Sequence, residues 1–402
     1  MEDRLSRREA LALTLALTAG GCSGGGGGTG SVVTPAPTPA PSTPAPPPTV
    51  AAADIKGAAA AKRMRFGSAV AWSLPGADAG SFANPAYAAL LERDCAILVP
   101  ENELKWQSIR PDAATFDFSR FDAMLAWAEA HGLAMRGHNL LWHQRRWMPA
   151  WAESHNYGSG TAEAERILST HIQTVCRRYG SRIVSYDVVN EAVDPSTSGL
   201  YETALSQALG GAQATLDLAF RTARAEAPNA ELVYNDYMGW EAGSAAHRAG
   251  VLALLRGFRS RGVPVDALGI QSHIGIYSNT PVATLIADQT PAWRAFLDEV
   301  VGMGYRLVVT ELDVRDRLTG SLTARDQAIA DYCRGWLDLL FAYPQLRDVL
   351  VWGMSDKYSW LQSFEPRTDG QPHRPCPYDT QMQPKLMQNA IAAAFAATTV
   401  RP

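Results

Sequence analysis

Leu307-Val308-Val309-Thr310-Glu311-Leu312-Asp313 runs an apolar, largely β-branched stretch straight into a glutamate. Tyr186-Asp187-Val188-Val189-Asn190-Glu191 repeats the construction. Continuous rather than alternating hydrophobicity implies strands covered on both faces, as in parallel sheets. A carboxylate at the end of such a strand is unusual, because an unpaired buried charge is costly or forces the group to shift its pKa. Two of them, on two strands, point to paired acid and nucleophile chemistry.

Working outward, six further runs have the same character: Phe66 to Val70, Ala96 to Val99, Leu133 to Arg136, Glu231 to Tyr234, Ala267 to Ile270 and Val349 to Trp352. With Ile183 to Tyr186 and Leu307 to Val309 they make eight, spaced about 30 to 50 residues apart. Helical patterns lie between them. Ser119 is placed to cap a helix carrying Phe121, Leu125 and Ala128 and ended by Gly132. Thr290-Pro291 is expected to open another with Trp293, Phe296, Leu297, Val300 and Val301 on one face. A third, with Leu216, Phe220, Ala223 and Ala227, stops at Pro228. Eight βα units predict an α/β chain with a single (β/α)8 TIM barrel over 52–398. A doubly wound sheet is the alternative, but no glycine-rich phosphate loop follows the first run.

Barrel enzymes place their reactive groups at the C-terminal ends of the strands. Here those ends are consistently polar: Glu101-Asn102-Glu103 with Lys105-Trp106, then His138-Asn139 with Trp142-His143, Asn190-Glu191, Asn235-Asp236-Tyr237, Gln271 with His273, Glu311 with Asp313, and Ser355-Asp356 leading to Trp360. There is no nucleophile elbow, metal motif or phosphate cradle, and His138 and His143 are five apart rather than the four of a helical zinc pair. No cofactor is expected. Glutamates, amides, histidines and tryptophans at these ends match the needs of glycosidic hydrolysis, which takes one protonated carboxyl, one carboxylate, and groups to hold sugars.

With these residues in view, the chain resembles glycoside hydrolase family 10, the endo-1,4-β-xylanases, over its whole folded part. The most specific matches are Gly304, Leu307, Val309, Thr310, Glu311, Leu312, Asp313 and Val314. Further ones are Glu101-Asn102 with Lys105-Trp106, Arg136-Gly137-His138 with Trp142-His143, Asn190-Glu191, Gln271 with His273, and Trp352-Gly353 with Asp356 and Ser359-Trp360. The resemblance implies a retaining enzyme acting on xylan or xylo-oligosaccharides, with Glu311 as nucleophile and Glu191 as acid/base. It implies that His273 orients Glu311 with Asp313 behind it, and that Asn190 binds the 2-hydroxyl at the cleavage site. Glu101, Asn102, Lys105, His138 and Gln271 would line the glycone side, and Trp142, Trp352 and Trp360 would form apolar walls. Two departures stand out: Gln144-Arg145-Arg146-Trp147-Met148 replaces a shorter family segment, and Met238 replaces an Asn. Gln144 is given no role, and both changes are expected on the aglycone side. A related barrel glycosidase acting on cellulose or mixed β-glucan, and a non-catalytic polysaccharide-capturing surface lipoprotein, are the competing readings.

Composition agrees with a globular protein: 402 residues, 47% hydrophobic, formal net charge -4. Lys+Arg at 36 against Asp+Glu at 40 leave no basic excess, which argues against nucleic acid as a partner. A monomer is expected. At the N-terminus a charged segment, an apolar stretch from Ala10 to about Ala19 and Gly20-Gly21-Cys22 predict an export signal over 1–22. Ser6-Arg7-Arg8 resembles a twin-arginine signal, and Ala19-Gly20-Gly21-Cys22 resembles a lipobox whose Cys22 would tether the protein to a bacterial membrane. A plain Sec signal is the alternative. Residues 23–51 form a Gly/Pro/Thr-rich linker that cannot build a core. The expected location is therefore extracellular or periplasmic. Cys95, Cys176, Cys333 and Cys376 lie far apart without metal-ligand spacing and are expected as buried free thiols.

Overall fold

In the computed structural model, which describes residues 50–402, all eight anticipated runs become parallel strands, and a short ninth is added. In chain order they are β1 (Arg65–Val70), β2 (Ile97–Pro100), β3 (Ala134–His138), β4 (Ile183–Asn190), β5 (Glu231–Asp236), β6 (Ala267–Ile270), β7 (His273–Ile276), β8 (Arg306–Asp316) and β9 (Leu346–Val351). Neighbours run β6-β5-β4-β3-β2-β1-β9-β8, and β6 pairs with β8, which closes an eight-stranded barrel. The added β7 pairs only with the outer end of β8 and sets His273 opposite Asp313.

The unbroken hydrophobicity of the runs has a direct cause. Ala69, Ile97, Val99, Val233, Ala267, Val308 and Leu350 pack together inside the barrel. Their strand neighbours Phe66, Leu98, Leu232, Leu268, Leu307 and Val349 belong to the larger core shared with the helices. Each of the larger side chains contributes about 1.5–3 kcal/mol when fully buried, so both faces of these strands are held by the same force.

Two irregularities position the glutamates. The β4–β5 register shifts between Asp187 and Val189, and the β8–β9 register shifts between Val309 and Leu312. A bulge re-aims the residues that follow it, and these two lie at or just before Glu191 and Glu311. Glu191 itself has φ 52°, in the left-handed region that non-glycine residues enter only when their surroundings hold them there.

Two of the three helix expectations are adjusted. The helix with Trp293 and Phe296 spans Val282–Gly302, so Pro291 lies inside it rather than at its start. Thr290 Oγ1 donates to the Ile286 carbonyl at 2.7 Å, and Leu285 and Ile286 pack against the core, which carries the helix back beyond the proline. Ser119 is the first helical residue of Ser119–Ala130 and Phe118 holds the cap position. The side chain that accepts there is Asp117, from the Ser119 amide at 2.9 Å. The third helix, Ala212–Glu226, ends before Pro228 as anticipated. Cys95, Cys176, Cys333 and Cys376 are buried and unpaired. At the C-terminus Arg401 is buried and donates to Leu346 and Phe341 carbonyls, so packing extends past residue 398. The export signal, the Cys22 tether and all but the last two residues of the linker lie outside the described residues.

Candidate active site

Glu311, on β8, is 5% exposed and is held by two donors. Asn235 Nδ2, from the end of β5, reaches Oε1 at 2.7 Å, and His273 Nε2, from the start of β7, reaches Oε2 at 3.2 Å. Thr310 Oγ1 donates to Asn235 Oδ1 at 2.7 Å and so turns the Asn235 amide nitrogen toward Glu311. Gly269 leaves room for that amide, since a Cβ there would sit 2.4 Å from Asn235 Oδ1. Burial alone would raise the Glu311 pKa. The hydrogen bond from His273, the electrostatic influence of the nearby His138 and His273 side chains, and the Asn235 donor bring it below its ordinary value. His273 also lies 3.0 Å from Asp313 Oδ2. Burial lowers its pKa, but the two carboxylates overcome this and raise it to about 10, which keeps the ring a cation at neutrality. Trp360 Nε1 donates to the same Asp313 oxygen at 2.7 Å and fixes the far end of this row.

Glu191 follows β4 and is 8% exposed. Gln271 Nε2 donates to Oε1 at 2.9 Å and Gln144 Nε2 to Oε2 at 3.0 Å. These partners are neutral amides, so burial dominates, and with Asp236 and Glu311 nearby it raises the pKa to about 7. The two carboxyls thus depart from their ordinary value in opposite directions, because a cation overcomes burial at Glu311 whereas neutral amides only restrain it at Glu191.

An amide chain joins them. Asn190 Oδ1 accepts from Asn235 Nδ2 at 2.9 Å and from Gln271 Nε2 at 3.3 Å, and those same groups donate to Glu311 and Glu191. With Oδ1 occupied from inside, the Asn190 amide nitrogen is the group left to meet a ligand.

The other anticipated residues gather beside this pair. Lys105 Nζ donates to Asn102 Oδ1 at 3.0 Å and sits 4.6 Å from the Trp142 ring centre. Burial lowers the Lys105 pKa, while Glu311, Glu101 and Glu191 counter it. Glu101 is raised to about 7, first by burial and then by Glu103. Arg136 and His138 both contact Asp187, at 2.5 and 2.9 Å, which orients the imidazole. Trp352 packs edge-on to His138 and His273, and Trp360 lies 5.1 Å from His273 between ring centres.

Two positions depart from expectation. Gln144, given no role, directly contacts Glu191. The longer segment brings it there: Trp147 stacks on Trp142 at 4.5 Å, and Arg146 Nε donates to Gln144 Oε1 at 3.1 Å, which turns the Gln144 NH2 toward the carboxyl. Met238, expected on the aglycone side, is 1% exposed within the core, so that change is one of packing. Asn235 was visible only as one of several polar strand ends, and its contact with Glu311 depends on the closure of β5, β6 and β8.

The family model described as glycosyl hydrolase family 10 matches residues 54–394. Endo-1,4-beta-xylanase C of Phanerodontia chrysosporium is 29% identical over 348 residues, 85% of this chain and 78% of the relative. Endo-1,4-beta-xylanase 2 of Aureobasidium pullulans is 32% identical over 274 residues, covering 68% and 73%. Among solved structures, xylanase 10B of Thermotoga petrophila in complex with xylobiose superposes with TM-score 0.74 at 26% identity, covering 86% of this chain and 98% of that one.

Proposed function

Because the chain belongs to glycosyl hydrolase family 10, we propose that it is a retaining endo-1,4-β-xylanase in which Glu311 is the nucleophile and Glu191 the acid/base. The observation that supports these roles is the company each carboxyl keeps: Glu311 meets the His273 imidazole and the Asn235 amide, Glu191 meets the Gln271 and Gln144 amides, and Asn190 joins the two sets.

In the first step ionised Glu311 attacks the anomeric carbon. The glycosidic C–O bond breaks, and the Glu191 proton passes to the departing oxygen. Glu311 is esterified by this step and loses its charge, which removes one of the influences raising the Glu191 pKa. Glu191, now a carboxylate, takes a proton from water as the water attacks the glycosyl ester and frees Glu311. His273 holds Glu311 in line and stabilises its charge before attack. Asn190 offers its free NH2 to the 2-hydroxyl, Glu101, Asn102, Lys105, His138 and Gln271 bind the glycone, and Trp142, Trp352 and Trp360 supply the flat apolar walls.

Reducing-end release from xylan and from carboxymethylcellulose tests the substrate. Xylan is expected to be the faster by at least about tenfold, and faster turnover of the glucan would overturn the assignment. The leader supports export and a lipid tether at Cys22. Cys22→Ser should release the protein from membranes, and an unchanged membrane fraction would reject the tether.

A further inference from the structure

The segment that diverges from the family's pattern does more than reach Glu191. Arg145 and Arg146 are both exposed and line one cleft of about 580 Å³ with Met148, Ala150, Glu153 and Ser154. That is room for a sugar ring. Glu153 is the acidic group facing this cleft. It is paired with Arg145 at 3.0 Å and also accepts from the Ala204 amide, so the balance of charge is one positive.

Arg146 is committed differently. Its guanidinium carbon lies 4.9 Å from the Trp147 ring centre, and Nε donates to Gln144. Among the described residues it has no carboxylate partner, so its two terminal nitrogens face outward as an unfilled fork, the geometry that suits a carboxylate. Through Gln144 this fork stands two hydrogen bonds from Glu191. It therefore lies beside the group that meets the leaving oxygen.

We propose that Arg146, backed by Arg145, recognises the carboxylate of an acidic sugar branch on xylan, so that the enzyme selects uronate-substituted over neutral chains. This rests on the xylanase reading above, and the test separates the two.

The intact enzyme is assayed on a glucuronic-acid-substituted xylan and on the same xylan with its carboxyl groups reduced to alcohols. At low salt kcat/KM should favour the acidic form by about five- to tenfold, and about 0.5 M NaCl should erase most of that preference. Arg146→Gln should bring the ratio close to one, and Arg146→Lys should keep part of it, as charge without the fork. Loss of the hold on Gln144 would slow both forms alike and leave the ratio as the readout. Equal rates for the intact enzyme on the two forms, or an undiminished preference in Arg146→Gln, would overturn the proposal. Failure to cleave either form would overturn the xylanase reading instead.

Discussion

Gln144 Nε2 donates to Glu191 Oε2 across 3.0 Å, while Gln271 Nε2 donates to Oε1 across 2.9 Å, so both oxygens of one buried carboxyl rest on neutral amides. Donors of this kind favour the charged form and restrain a pKa that burial pushes up to about 7. Gln144→Leu removes one of them. The basic limb of the kcat/KM profile should then move upward by about half to one pH unit, with kcat reduced. An unmoved basic limb would show that the contact does not tune Glu191.

The unaltered enzyme should give a bell-shaped profile. On the proposed roles activity needs Glu191 protonated and Glu311 ionised, so the alkaline limb should fall near 7 and the acid limb below the ordinary glutamate value. The two limbs belong to the coupled pair. A profile flat from about pH 5 to 9 would contradict the assignment of these roles.

Stability carries the same signature. A carboxyl whose folded pKa is raised contributes fully below its unfolded value near 4.5, and that contribution disappears as pH rises through about 7. Glu191→Gln removes the titration. The variant should therefore gain on the unaltered protein as pH rises from about 4.5 to 8, by on the order of 2 kcal/mol. Thermal unfolding of both proteins at matched pH checks this, and a constant difference across that window would refute it.

Asn235 is held in place by Thr310 on one side and by the missing Cβ of Gly269 on the other. Asn235→Ala leaves Glu311 without its 2.7 Å donor and should cut kcat/KM by about ten- to a hundredfold. Gly269→Ala should reproduce much of that loss by displacing the amide. If steady-state kinetics of correctly folded Gly269→Ala match the unaltered enzyme, the amide chain is not needed for catalysis.

The barrel was legible because its strands are apolar on both faces and each ends in polar residues, a pattern that depends on composition along the chain alone. That Glu191, Glu311 and the other polar strand ends share one rim was legible for the same reason. Gln144 was not, because its contact needs the fold of Trp147 onto Trp142 and the turn set by Arg146, neither of which has a periodic signal. The bulges at Asp187 and Val309 that aim the glutamates exist only in the pairing of one strand with the next. Pro291 read as a helix start because it lacks an amide proton, yet packing by Leu285 and Ile286 extends the helix back past it.

The division of labour proposed for Glu191 and Glu311 is tested most directly with an aryl xyloside that carries a good leaving group, which separates the two roles. Such a leaving group needs no proton, so Glu191→Ala should still form the glycosyl-enzyme and be accelerated by azide, whereas Glu311→Ala should be inactive on this substrate and on xylan alike. Near-normal xylan hydrolysis by Glu311→Ala would contradict the account.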